Sequence, residues 1–106
     1  MGSVKPLNVV ELGPGHGTLM SDILRTFLKL MPLDLPHLSL HLVEASPNLA
    51  RLQEAKLCGS FHSSRPEGYK AITKQGVPVH WHGSVGQVPK GFTFFIANEV
   101  KVSRNF

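Results

Sequence analysis

Between a short apolar run, LNVVEL at 7–12, and a stretch of helical periodicity stands the loop ELGPGHG, with Glu11 followed by glycines at 13, 15 and 17. A strand that must turn through closely spaced glycines straight into a helix forces a βα corner. There the backbone can approach a ligand, and the free N–H groups at the helix start favour negative charge. The apolar run carries two adjacent valines, the pattern of a strand buried on both faces of a parallel sheet. Over 17–31 the residues Leu19, Met20, Ile23, Leu24, Phe27, Leu28 and Met31 recur at helical spacing, and Pro32 closes the helix.

The chain continues in the same alternation. A loop with two prolines at 32–37 precedes a second strand, LSLHLV at 38–43, with Glu44 at its carboxyl end. Ser46 followed by Pro47 reads as an N-cap and first helical residue, opening a helix to about Leu57 with Leu49, Leu52 and Leu57 expected inward and Gly59 as its stop. Residues 58–76 are rich in Gly, Ser, Pro and Lys. They read as a mobile surface insertion with one helical turn at 69–74. Strands follow at 77–82 (VPVHWH) and 92–97 (FTFFIA), joined by the Gly- and Pro-containing stretch 83–91. This order predicts an α/β domain with a mostly parallel sheet of about four strands and flanking helices. With 106 residues, and roughly 30 needed per βα unit, three to four such units fill the chain. In sheets of this kind ligands bind beyond the carboxyl ends of the strands, where every candidate motif lies.

Composition narrows the function classes. Eleven Lys and Arg against seven Asp and Glu give a net charge of +4, but the basic residues are scattered, so no nucleic-acid face is expected. Lysine and acidic residues interrupt the most apolar region, which excludes a membrane span. The single cysteine, Cys58, has no disulfide partner and reads as a packed or surface thiol. The first residues show no signal peptide or presequence.

Three ligand readings compete for the glycine loop. A phosphate-cradling loop needs Gly-Lys before Ser or Thr, and Gly17 is followed directly by Thr18. The dinucleotide fingerprint GxGxxG requires its third glycine at position 18, which is Thr18, so NAD or FAD is the lesser alternative. The pattern that fits is ExGxGxG, which resembles motif I of class I methyltransferases. Glu44 suits that reading, because an acid ending strand two can accept hydrogen bonds from both hydroxyls of an adenosine ribose. His80 and His82 share one face of a strand at a spacing that could bind a metal, yet no Cys, Asp or Glu stands near enough to complete a site, and none is expected. Trp81 reads as packing, and His37, His41 and His62 carry no partner pattern.

The segments ELGPGHGTLMSDILR at 11–25, HLVEASPNLARLQEAKL at 41–57 and IANE at 96–99 resemble the MidA-like family of class I methyltransferases, whose animal members are mitochondrial protein-arginine methyltransferases needed for respiratory complex I assembly. The likeness covers most of the chain except 58–76 and the last seven residues. It implies a partial Rossmann-like methyltransferase fold across 1–106, and S-adenosylmethionine as the cofactor. Glu11, Gly13, Gly15, Gly17 and Glu44 would bind it, with Ser84 and Val85 at its adenine edge. Asn98 and Glu99 would lie where methyl donor meets acceptor, Glu99 holding the guanidinium. The implied partner is a protein with an acceptor arginine, a complex I subunit, and the implied location is mitochondrial. His16 stands where many family members have arginine. The closing VKVSRNF departs from the family's Phe-Phe-Asp and Leu-Pro, so the chain is expected to hold the donor side of a larger sheet and to be weakly active or inactive alone. The rival expectation is a non-catalytic interaction fragment, its sheet edge exposed.

Overall fold

A computed structural model describes residues 7–30, 38–62 and 68–89, together with the backbone of 93–97. The elements run β1 (Leu7–Leu12), α1 (Thr18–Leu30), β2 (Leu38–Val43), α2 (Pro47–Cys58), β3 (Lys70–Ile72), β4 (Pro78–His82), a 3₁₀ turn (Val85–Gln87) and β5 (Thr93–Ala97). They build one sheet in the order β3-β4-β2-β1-β5, in which β1, β2, β4 and β5 are parallel and β3 is antiparallel. The four parallel strands are those expected from the sequence.

The crossovers β1–α1–β2 and β2–α2–β4 step in the same direction, so right-handedness puts both helices on one face. Val9, Leu40, Leu42, Val79 and Trp81 point into that face and meet Met20 and Leu24 of α1 and Ala50 and Leu57 of α2 in a single core. The sheet changes direction at β1, which has β2 on one side and β5 on the other. That reversal is where open α/β sheets leave a crevice at the carboxyl ends of their strands.

The caps of α2 follow the sequence. Ser46 Oγ accepts the Leu49 N–H at 3.3 Å, Pro47 occupies the first turn, and Gly59 ends the helix at φ 87° with its N–H on the Ala55 carbonyl. Its inner face does not follow. Leu52 is 49% exposed, and the buried stripe is Ala50, Gln53, Glu54 and Leu57. The stripe is fixed by the 3.6-residue period running back from Leu57, not by the hydrophobicity of each leucine. Two of its four positions are polar.

The segment after α2 also departs from expectation. No helical turn occupies 69–74: Lys70–Ile72 pairs with β4 as an edge strand, and the Trp81 N–H reaches the Tyr69 carbonyl. Thr73 closes the hairpin, its N–H on the Val77 carbonyl and its hydroxyl accepting the Val77 N–H, while the Lys74 N–H caps the Leu57 carbonyl of α2. Glu54 anchors the other side of the segment. Its buried carboxylate accepts the Tyr69 hydroxyl at 2.7 Å, the His62 N–H at 3.2 Å and a hydrogen bond from His62 Nδ1 at 2.9 Å. His62 therefore has a partner pattern that its sequence neighbours did not reveal.

The opposite sheet face carries Asn8, Ser39, His41, His80 and His82 by strand alternation. The near-parallel rings of His41, His80 and His82 cluster, with the His41 centroid 4.7 and 5.1 Å from those of His80 and His82 and these two 6.2 Å apart. His41 Nε2 lies 3.3 Å from Asn8 Oδ1, an acceptor, and His41 Nδ1 lies 2.9 Å from His82 Nε2. Neutral rings satisfy this chain: His41 Nε2–H is shared between the Ser39 hydroxyl oxygen, 3.1 Å away, and Asn8 Oδ1, and His41 Nδ1 accepts from His82. A second proton on His41 would face the His82 N–H. Parallel rings also aim their lone pairs along their own planes, and among the described residues no group of three or more His, Cys, Asp or Glu could hold a metal ion.

Burial, with the neighbouring histidines, lowers the pKa of His41 from 6.5 to about 4. The unfolded chain therefore binds more protons between those values, so the stabilisation is complete above pH 6.5 and is lost as pH falls towards 4. Unfolding free energy measured in urea should drop by about 2–3 kcal/mol more between pH 7.5 and 4.5 than it does in a His41→Gln variant. Equal pH dependence in the two proteins would disprove a neutral buried His41.

Candidate functional site

Backbone pairing brings the strand ends into one rim. The Gly13 N–H donates to the Val43 carbonyl at 3.1 Å and the Glu44 N–H to the His82 carbonyl at 2.9 Å, so the exits of β1, β2 and β4 lie side by side. From β1 the chain turns through Gly13, Gly15 and Gly17, at φ 60°, 61° and 86°, a region costly for any residue with a Cβ. The Gly17 N–H closes the turn on the Pro14 carbonyl, and its own carbonyl accepts the Ser21 N–H, starting α1.

Gly17 has a second reason to lack a side chain, since a Cβ there would stand 3.3 Å from the Gln53 Cα on α2. In dinucleotide folds a third glycine allows close packing of helix and strand. Here the close approach falls at Gly17, against α2, and the position one further on is an exposed Thr18.

Glu44 lies just beyond β2, half-buried, with both carboxylate oxygens oriented. Oε2 accepts the Ser46 N–H at 3.1 Å and Oε1 accepts from Gln53 Nε2 at 3.0 Å. Each oxygen has two lone-pair directions, so one on each is left for a ligand. A vicinal diol would match that pair. Gln53 was not singled out in the sequence, and its buried side chain makes three hydrogen bonds at the rim. Besides Glu44, its Nε2 donates to the Gly15 carbonyl at 2.7 Å, and its Oε1 accepts the Trp81 indole N–H at 3.0 Å. The signal that could have found it is a polar residue on the buried stripe of α2, because such a group must be hydrogen-bonded.

A cavity of about 450 Å³ opens beside the glycine loop, lined by Glu11, Pro14, Gly15, His16, Thr18, Leu19 and Asp22. Gly15 links the two halves of the site, lining the cavity while its carbonyl is held by the glutamine that holds Glu44. Glu11 is buried at the end of β1 and belongs to the cavity. Ser84 and Val85 follow β4 on the exposed rim, where Gln87 Oε1 accepts the Gly83 and Ser84 N–H groups at 2.8 and 3.3 Å. Trp81 is buried and turned to Gln53, in keeping with packing. Asn98 and Glu99 lie outside the described residues. The strand leading to them ends at Ala97, paired with Leu12 at the start of the glycine loop.

On this rim the Glu44 carboxylate keeps one acceptor position on each oxygen, as a hydroxyl pair would require. A family model described as a putative S-adenosyl-L-methionine-dependent methyltransferase matches residues 1–101. The chain belongs to this family. Similar proteins include "protein arginine methyltransferase NDUFAF7, mitochondrial" from Xenopus tropicalis, 43% identical over 104 residues, and the Homo sapiens protein of the same name, 38% identical over 104 residues. Each alignment covers 92% of this chain and 24% of the relative. The Drosophila melanogaster homologue is 37% identical over 105 residues, covering 93% of this chain and 23% of its own length. The chain thus spans about a quarter of the curated relatives it matches.

Gly17→Ala combines a left-handed backbone with a tight contact on α2, and should lower unfolding free energy by about 1–2 kcal/mol. Denaturant titration checks it. A change within error would mean that the loop relaxes away from α2 without penalty.

Proposed function

We propose that this chain forms the S-adenosylmethionine-binding part of a mitochondrial protein-arginine methyltransferase. The observation that carries the reading is Glu44, whose two oxygens are fixed by Ser46 and Gln53 beside a three-glycine turn, in a chain of the methyltransferase family. On this reading Glu44 accepts both ribose hydroxyls, and the backbone at Gly13, Gly15 and Gly17, with Glu11, receives the amino acid end. Ser84 and Val85 border the adenine. The names of the relatives support an arginine acceptor and a mitochondrial location. The family resemblance adds a respiratory complex I subunit as the protein that carries the arginine.

Bound S-adenosylmethionine supplies an electrophilic methyl group on a sulfonium. The protein's part is to hold donor and acceptor in line and exclude water, since orientation is the main requirement of such a displacement. Asn98 and Glu99, following β5, would border the acceptor. A carboxylate at Glu99 would pair with the guanidinium and turn one nitrogen towards the methyl group. Among the described residues no helix is long and apolar enough to cross a membrane.

Calorimetry with S-adenosylhomocysteine tests the reading. Micromolar binding is expected, abolished by Gly15→Asp, which puts a side chain at φ 61° beside the cavity, and weakened about tenfold or more by Glu44→Gln. Binding of NADH with none of S-adenosylhomocysteine would overturn it in favour of a dinucleotide site.

A further inference from the structure

We propose that Gln53 is the positioning residue of the donor site, its side-chain amide presetting the Glu44 carboxylate for a ribose diol. The inference rests on the cofactor reading above and adds how selectivity for the hydroxyl pair arises. Gln53 is fully buried, and both its donors are used: one Nε2 hydrogen goes to the Gly15 carbonyl and one to Glu44 Oε1, while Oε1 accepts the Trp81 indole N–H. Indole N–H only donates, whereas a carbonyl and a carboxylate only accept, so the amide fits in one orientation alone.

That single orientation couples three elements. Trp81 on β4 fixes the amide, the amide fixes Glu44 after β2, and the same nitrogen fixes Gly15 in the loop after β1. A carboxylate held only by the Ser46 N–H would rotate about its last torsion, and its two remaining lone pairs would no longer match two neighbouring hydroxyls. Gln53 itself never reaches the ligand. Its effect passes through Glu44, so it should appear in the discrimination between a diol and a single hydroxyl and not merely in affinity.

The test compares affinities of the full chain for S-adenosylhomocysteine and its 2′-deoxy analogue. The unmodified chain should prefer the diol by about tenfold or more, as expected when a hydrogen bond to a charged group is lost. Gln53→Met keeps the buried length but removes the amide, and should cut that preference to about threefold or less. Trp81→Phe keeps an aromatic ring in the core but removes the indole donor, and should lower the preference in the same direction. In a Glu44→Gln background, Gln53→Met should leave the remaining preference unchanged, because the residue through which it acts is already altered.

Binding with an undiminished diol preference in Gln53→Met overturns the positioning role and leaves the cofactor site standing. Full additivity of the two substitutions does the same. Absence of S-adenosylhomocysteine binding by the unmodified chain overturns the cofactor reading and this inference together. Should Gln53→Met lose its circular dichroism spectrum, Trp81→Phe decides: a lowered preference supports the role and an unchanged one overturns it.

Discussion

Parallel pairing of β1 with a neighbour on each side is the constraint on which the rest depends. It obliges the chain to leave β1 and cross over the sheet before it can pair again, which creates α1, and it aligns the carboxyl ends of β1, β2 and β4. A βα corner is then unavoidable at the exit of β1, and the three glycines are its backbone solution. The loop they form lies close to α2, where a Cβ at Gly17 would stand a tight 3.3 Å from the Gln53 Cα. The glycine turn, the Glu44 carboxylate and the buried amide are thus consequences of one sheet geometry.

The two faces of the sheet use polarity differently. On the helix side, among the described residues, the mainly apolar interior includes the buried polar side chains of Gln53 and Glu54, consecutive residues of α2 that serve opposite ends of the site's surroundings, and of Glu11 at the end of β1. Gln53 is directed to the ligand rim, and Glu54 clasps Tyr69 and His62 at the two ends of the segment following α2. On the other side three imidazoles cluster with near-parallel rings, His41 and His82 joined by a hydrogen bond between neutral rings, which ties the stability of the sheet to pH. Buried polar groups of this kind contribute only when every partner is present, which accounts for their arrangement in closed sets.

Much of the architecture was legible along the chain because it depends on local patterns. The strands at 7–12 and 38–43, the caps at Ser46, Pro47 and Gly59, and the loop ELGPGHG are each encoded within a few residues. What escaped was set by distant partners. Lys70–Ile72 lacks a strand-like composition and is a strand because β4 offers it an unpaired edge. Leu52 is exposed although it is a leucine, because the phase of α2 is set by its contact with the sheet. His41 and His62 looked unremarkable because their partners stand 41 and 8 residues away.

The sequence by itself determined that a strand, a glycine turn and a helix follow one another and that an acid ends the next strand, since these are matters of backbone freedom and periodicity over short distances. It carried the family as well, in the residues of those same motifs. Only the tertiary structure decided how both oxygens of Glu44 are held and which lone pair on each is left to a ligand. That choice belongs to Gln53, and a glutamine in a helix becomes a positioning group only when three elements deliver an indole donor, a carbonyl and a carboxylate to the same buried amide.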